Sequence, residues 1–483
     1  MIEIRPTRII IKDYIKESCK ELEHSLSVWS KLTYSYTFCA YDYNEVTKEL
    51  TIPSGFDLNK LAKYFPNKEI VYNNELKETR KIKNLTLKFP PNKPIQEEAI
   101  KFLLGTKYTR NSTQKMLSLK TGQGKTYCAI NYVSQTLKVP LIVVDQDSLA
   151  QQWLERIKHF TNAKDSNVFI ISGRDSINKL LKMPKKDFAK VKFFIAIHRT
   201  INALIHADKA LYVKLIDHLG IGVKIFDEAH VEFANIFAMD SLNDIESIYL
   251  TATPSRSNES ENKVYQNMFY NVKRMNNIKR LSEENYHNIV IVKTNSKPSI
   301  DQELDTKSKF GFDVNKFSKY ILEERYEHYF NIIMTILTDI VLKKEKKKTI
   351  IIFHINDLVD TFYKDFSELV EKTKAPLSVG KFNSSIKDRD ERFRELEKDI
   401  VITTDKSFSK GIDVKDLECV INTVPLSSAP KTEQMIGRLR RLQNKEVYYF
   451  DVIDSGFKSC LNQLTFKNKV YQKTAKEIYE IKL

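Results

Sequence analysis

The stretch Leu117–Tyr127 reads L-S-L-K-T-G-Q-G-K-T-Y, and its reading decides how the rest of the chain folds. Gly122 and Gly124 permit a tight turn in which N–H groups at a helix start converge on phosphate oxygens. Thr121 and Gln123 complete that turn. Lys125 is placed to reach the β- and γ-phosphates of a nucleotide, and the Thr126 hydroxyl to complete a Mg²⁺ shell. The flanks agree. Lys115–Leu119 is short and apolar enough for a strand, and Ala129, Tyr132, Val133 and Leu137 have helical spacing. One departure is present: the general pattern G-x-x-x-x-G-K-[ST] has Gly where this chain has Leu119.

A chain of 483 residues predicts roughly three domains of about 100–200 residues each. Its 42% hydrophobic content supports real cores and argues against wholesale disorder. The net charge of +16 favours a polyanionic partner, nucleic acid before membrane. Cys19, Cys39, Cys128, Cys419 and Cys460 lie far apart with no C-x-x-C pair, so they read as reduced thiols of a cytoplasmic protein. No apolar run approaches the ~18 residues needed to span a bilayer. Met1–Asp13 carries charges throughout and lacks a signal-peptide core. The expected location is the cytoplasm.

Along the chain, residues 1–87 read as a separate small α+β domain that engages substrate. Tyr34, Tyr36 and Phe38 are expected on one face of a strand there, with Lys12, Lys16, Lys20 and Lys31 nearby. From 88 to 280, apolar runs at Met116–Leu119, Pro140–Val144, Val168–Ile171, Lys192–Ile197, Val223–Phe226 and Ser247–Leu250 alternate with amphipathic helices. That is the signature of a parallel sheet covered on both faces. A second series occupies 281–455: Asn288–Lys293, a long helix near Val314–Leu342, then Thr349–Phe353, Asp399–Thr403, Cys419–Asn422 and Lys445–Val452. Residues 456–483 read as a helical segment, with Phe457, Leu461 and Leu464 on one face.

Downstream of the phosphate loop, Ile225–His230 reads I-F-D-E-A-H, a buried strand ending in two carboxylates. At a strand's C-terminal edge they fall where α/β sheets bind ligands. Asp227 is suited to hold Mg²⁺, and Glu228 to position and deprotonate an attacking water while Lys125 offsets phosphate charge. With D-E-A-H following T-G-x-G-K-T, and with L-T-A-T-P-S-R at Leu250–Arg256, the chain resembles the superfamily 2 helicases. Asp399–Asp413, D-I-V-I-T-T-D-K-S-F-S-K-G-I-D, resembles motif V of that family, and Glu433–Arg441, E-Q-M-I-G-R-L-R-R, resembles motif VI. The resemblance covers about Lys93 to Asp454. It implies two tandem RecA-like α/β domains with parallel sheets behind the small N-terminal α+β domain. It also implies ATP and Mg²⁺ as cofactors and ATP-dependent helicase or translocase activity.

If Thr432–Leu442 is a helix, Gln434, Arg438 and Arg441 share a face, with Gly437 allowing close approach. Arginines offered from a second domain to a nucleotide on the first act as arginine fingers. The resemblance makes Arg441 the finger, with Arg438 also near the γ-phosphate, and places Gly411, Asp413 and Gln434 at the nucleotide. Lys93-Pro94-Ile95-Gln96 is similar to the family's adenine-recognising segment, with Gln96 offering both a donor and an acceptor. Lys93 and Ile95 depart from the usual Arg and aromatic.

Asp147–Glu155 resembles motif Ia and Ile197–Thr200 occupies the place of motif Ib, both suited to phosphate contacts. Trp153 reads as a core anchor. His230 reads as a coupling residue, since no second His lies at ligand spacing, and Thr251 and Thr253 read as links between the domains. Lys343–Lys348 reads as a solvated helix end.

Within the family, L-T-A-T-P-S-R and S-F-S-K-G-I-D resemble the UvsW-type phage DNA helicases, which implies work on forks, junctions and R-loops. The expected partner is single-stranded or branched DNA. Two alternatives stay open: a duplex-DNA translocase motor of a restriction or remodelling complex, and an RNA-directed ATPase.

Overall fold

In the computed structural model, the residues described are 1–30, 33–106, 112–252, 254–256, 258–276, 278, 284–309, 311–338, 347–383, 385–386, 388–409 and 414–483. They fall into two units, Met1–Ser282 and Glu283–Leu483.

The first unit is built on a seven-stranded sheet in which every neighbouring pair is parallel. Its order is Val168–Ile171, Phe193–Ile197, Pro140–Val144, Val223–Phe226, Glu246–Thr251, Gln114–Ser118 and Lys273–Asn276. Strands such as P-L-I-V-V and V-K-I-F are buried along their whole length, which explains why they read as continuous apolar runs instead of alternating ones. Lys273–Asn276 is missing from the sequence reading because K-R-M-N is polar, and only an edge position tolerates that. Helix ends follow local chemistry. Pro94 sits in the first turn of Pro94–Leu104, and Gly105 closes that helix in the left-handed region at φ 77°.

Residues 1–87 form a five-stranded mixed sheet, ordered Asp42–Asn44, Glu49–Pro53, Arg8–Ile11, Ile2–Ile4 and Ile70–Tyr72. This region shares one hydrophobic core with the seven-stranded sheet, running from Ile2 to Met275. Arg5 and Arg8 both reach Asp244, and the Thr7 hydroxyl donates to the Asn243 carbonyl at 2.9 Å. A Cβ on Gly55 would lie 2.2 Å from the Met268 carbonyl, so glycine is what lets the two layers touch.

A hairpin of Ser27–Ser30 and Ser35–Cys39 corrects the expected aromatic face. Its register shifts between Val28 and Trp29: Val28 pairs with Phe38, and Trp29 with Tyr36. The bulge at Thr37 breaks the two-residue period. Phe38 therefore turns inward onto Phe233, at 5.7 Å between ring centroids, while Tyr36 packs edge-on against Trp29 at 5.0 Å and stays half-exposed. Tyr34 is 80% exposed. Lys31 lies outside the described residues.

The second unit holds another all-parallel seven-stranded sheet, ordered Val379–Phe382, Ile400–Thr404, Thr349–Phe353, Cys419–Asn422, Val447–Asp454, His287–Thr294 and Ala475–Lys482. Two expectations change here. The long helix is two, Val314–Glu324 and Tyr326–Ile336, because the chain leaves helical geometry at Arg325 (φ −136°, ψ 19°). The segment 456–483 is helical only through Lys458–Thr474 and ends as the edge strand Ala475–Lys482. That strand carries Lys476, Glu477, Glu480 and Lys482, charges that protect an otherwise open sheet edge. Residues 343–346 of the lysine run are outside the described residues.

Candidate active site

Three adjacent strands of the first sheet, Val223–Phe226, Glu246–Thr251 and Gln114–Ser118, end at one edge. The loops that leave them carry the candidate chemistry. Gly122 and Gly124 adopt φ of 82° and 89°. A Cβ on Gly122 would meet nothing within 4 Å, so the loop's outer face is open, whereas one on Gly124 would lie 2.3 Å from Gln96 Nε2. Gly124 caps the helix Lys125–Thr136, and its carbonyl accepts from the Cys128 N–H at 3.0 Å. The departure at Leu119 has a simple account. Its side chain is buried, and its backbone carbonyl accepts from Lys125 Nζ at 3.0 Å.

Gln96 is buried under this loop. Its Oε1 accepts from the Asn92 N–H at 3.0 Å and its Nε2 donates to the Gln123 carbonyl at 3.5 Å. Lys93 Nζ donates to the Gly122 carbonyl at 3.1 Å. The segment read as a base-recognition element thus braces the phosphate loop itself.

Beyond Phe226 the chain keeps strand-like pairing for one step on each side. The Asp227 N–H donates to the Val143 carbonyl at 3.0 Å and the Ala229 N–H to the Leu250 carbonyl at 2.9 Å. Between them Glu228 sits at φ 46°, a left-handed conformation that costs a non-glycine residue about 1–2 kcal/mol. Strain of this kind concentrates at functional positions. Burial and the neighbouring Glu228 carboxylate push the Asp227 carboxyl upward, while the Trp153 N–H, Lys125 and Arg156 pull the other way.

Trp153 is buried, as a core anchor should be, which removes base stacking as its role. Its indole also does polar work: Nε1 donates to Asp227 Oδ2 at 2.8 Å. One turn further along the helix Asp147–Phe160, Arg156 Nη1 donates to Thr126 Oγ1 at 2.9 Å. Sequence reasoning missed both contacts. Position i, i+3 on a helix was the only available signal, and nothing in it names the target.

His230 is buried, and its Nδ1 lies 2.9 Å from Thr251 Oγ1. Burial, aided by the cations Arg256 and Lys125, holds its imidazole near a pKa of about 3. It is therefore neutral, and the 3.4 Å separation from Glu228 Oε2 is not an ion pair. Arg256 ties this corner together, donating to the His230 carbonyl at 2.9 Å and to Glu261 Oε2 at 2.9 and 2.7 Å. Thr253 lies outside the described residues. On the other half of the sheet edge, Ser172 Oγ donates to Asp147 Oδ1 at 3.1 Å and the Gly173 N–H to Thr200 Oγ1 at 3.0 Å. The two segments read as nucleic-acid contacts are thereby linked through one intervening turn.

In the second unit the motif VI helix is shorter than expected. It spans Ala429–Ile436 and ends on Gly437, so Arg438 and Arg441 do not share a helical face with Gln434. Leu439 is the reason. Its side chain is buried, and its carbonyl accepts from His287 Nε2 at 2.9 Å and Tyr286 Oη at 3.2 Å, pulling the chain out of helix. Arg438 is half-buried, while Arg440 and Arg441 are exposed on the loop that follows. Asp405, fully buried, accepts from His354 Nδ1 at 3.0 Å and pairs with Lys431 at the helix start. Burial alone would raise this carboxyl; the His354 hydrogen bond and the Lys431 ammonium override it and hold it low. Gly411 and Asp413 lie outside the described residues.

Residues 90–256 match the family described as the Type III restriction enzyme res subunit, and residues 330–443 match the helicase conserved C-terminal domain. The solved structure of S. cerevisiae Dbp5 bound to RNA and ADP BeF3 covers 82% of this chain and 91% of its own at a TM-score of 0.55. Its identity is 15%, so the likeness is one of fold. The chain is a superfamily 2 helicase.

It is accordingly a nucleic-acid-dependent ATPase, and its family implies ATP with a divalent metal. The helicase is 24% identical over 445 residues to the transcript termination protein A18 of Yaba-like disease virus, covering 88% of this chain and 86% of that relative. T4 UvsW is matched over 100% of this chain and 99% of its own, at 12% identity and a TM-score of 0.38; a superposition that loose leaves the likeness to rest on the quoted motifs.

The residues present fit a metal-bound nucleoside triphosphate. The phosphate loop is open above Gly122, and the Lys125 ammonium, the Arg156 guanidinium and the Glu228 carboxylate all act on the buried Asp227 carboxyl. Glu228 Oε2 and Gln123 Oε1 are buried with no hydrogen-bond partner among the described residues. No helix is long and apolar enough to cross a membrane among the described residues.

Proposed function

We propose that this helicase is an ATP-driven DNA translocase that displaces a strand from branched nucleic acid, and that the strand it displaces is RNA held on DNA. The viral relative, matched over most of both lengths, carries this reading: its name assigns it to transcript termination. The motif likeness to fork- and R-loop-processing helicases points to the same element, a hybrid strand beside duplex.

At the ATP site, Thr126 and Asp227 would hold Mg²⁺, which supplies charge to offset the phosphates. Lys125 exchanges the Leu119 carbonyl for the β- and γ-phosphates. Glu228, lacking a competing hydrogen bond on Oε2, accepts the proton of the attacking water. Trp153 keeps the Asp227 carboxylate oriented. The motif likeness assigns Arg441 and Arg438 as arginine fingers and Gly411, Asp413 and Gln434 to nucleotide recognition, while Gln96 supports the phosphate loop from beneath.

Restriction-type translocation on plain duplex is the second reading, favoured by the family matched at 90–256. The two separate in one assay: ATPase stimulation by single-stranded DNA, duplex, forked DNA, an R-loop and RNA. The R-loop and fork are expected to stimulate most. Equal stimulation by plain duplex favours the restriction-type motor, and stimulation by RNA alone removes DNA as the track.

A further inference from the structure

The helix Asp147–Phe160 sends two polar side chains into the phosphate site. Trp153 binds Asp227 and Arg156 binds Thr126, at 2.8 and 2.9 Å. Thr126 and Asp227 are the two groups read above as holding the divalent metal. The guanidinium thus touches the first directly and places its positive charge near the second. Arg156 is half-buried, and close range with partial desolvation is where like charges repel strongly. Its hydrogen bond also uses an acceptor site on the threonine oxygen, which has two. A dication and this guanidinium are therefore competitors at the Thr126 oxygen.

We infer that Arg156 is a resident cation that opposes metal loading at Thr126 and Asp227 and must withdraw with its side chain or its helix before metal-bound nucleotide seats fully. This rests on the reading of those two residues as the metal-holding pair. The same helix begins at Asp147, in the segment read as motif Ia. Nucleic acid pressing on that end has a direct mechanical route to Arg156, and so to the metal.

The test is ADP binding to the full chain across a Mg²⁺ titration, followed with a fluorescent ADP analogue and repeated in EDTA. Arg156→Ala and Arg156→Gln should both reach half-maximal binding at a Mg²⁺ concentration about three- to tenfold lower than the parent, with unchanged affinity in EDTA. The Gln variant keeps a donor without the charge, and thermal melts of both report folding. An equal loss of ADP binding with and without Mg²⁺ would make Arg156 a phosphate ligand and overturn the inference. An unshifted Mg²⁺ midpoint in both variants overturns it as well. If the parent's ADP affinity is itself indifferent to Mg²⁺, the metal reading of Thr126 and Asp227 is what fails, and the inference goes with it.

Discussion

At the scale of single residues, the ATP site separates binding from chemistry. Lys125→Ala removes the charge proposed to meet the phosphates, so nucleotide affinity and turnover should fall together. Glu228→Gln keeps size and the φ 46° backbone but cannot take a proton, so binding should persist while hydrolysis stalls. Filter binding and single-turnover hydrolysis distinguish the two; parental hydrolysis by Glu228→Gln removes that residue from the chemistry. The lysine, the glycines and the carboxylate pair were legible in sequence because each is read from a local pattern. Trp153 and Arg156 were not, since their partners lie 74 and 30 residues away, and no local pattern encodes a hydrogen bond between distant elements.

A second residue-scale prediction concerns pH. Burial drives the His198 imidazole down to a pKa of about 3 from an ordinary 6.5. It stacks on Phe226 at 6.4 Å, with neither ring nitrogen bonded among the described residues. Unfolded chain takes up a proton near pH 6.5 that the folded chain refuses until about 3. The folded state therefore keeps its full stability above 6.5 and loses it as pH falls toward 3. His198→Phe should flatten that loss by up to about 1.4 kcal/mol per pH unit while sparing stability at pH 8. Urea melts of parent and variant between pH 8 and 4 measure it, and parallel curves would show that His198 does not contribute.

At the scale of elements, strand cores were read correctly because fully buried parallel strands announce themselves as apolar runs. Two polar edge strands were not: K-R-M-N and A-K-E-I-Y-E-I-K pair through backbone, and their polarity suits an edge as well as a loop. Motif VI shows a different limit. Its sequence supports a helix to Leu442, but the buried Leu439 and the two donors on its carbonyl end it at Ile436. The loop that results leaves Arg441 exposed on the second unit's surface. Arg441→Ala should lower kcat by about 10³-fold or more with little change in nucleic-acid affinity. A matched loss of ATPase and nucleic-acid binding in a well-folded variant would make the loop an anchor for the track instead.

At the scale of the whole molecule, the N-terminal region has its own sheet yet shares its core with the first α/β layer, through residues such as Ile2, Phe56 and Phe269. Composition could not report that shared core. Truncating it would strip buried surface, so surface substitutions are the cleaner probe. Trp29→Ala with Tyr36→Ala on the hairpin should weaken R-loop binding about ten-fold, as loss of base stacking does, and leave basal ATPase unchanged. Equal binding in fluorescence anisotropy would return these aromatics to a structural role.

Under the proposed function, ATP hydrolysis at Lys125, Asp227 and Glu228 drives release of RNA from DNA. The most direct test is release of labelled RNA from an R-loop by parent and Glu228→Gln proteins, with ATP and hydrolysis followed in the same reaction. The expected result is RNA release by the parent in step with hydrolysis, and a bound but silent Glu228→Gln. Robust R-loop-stimulated hydrolysis with no RNA released would contradict the claim.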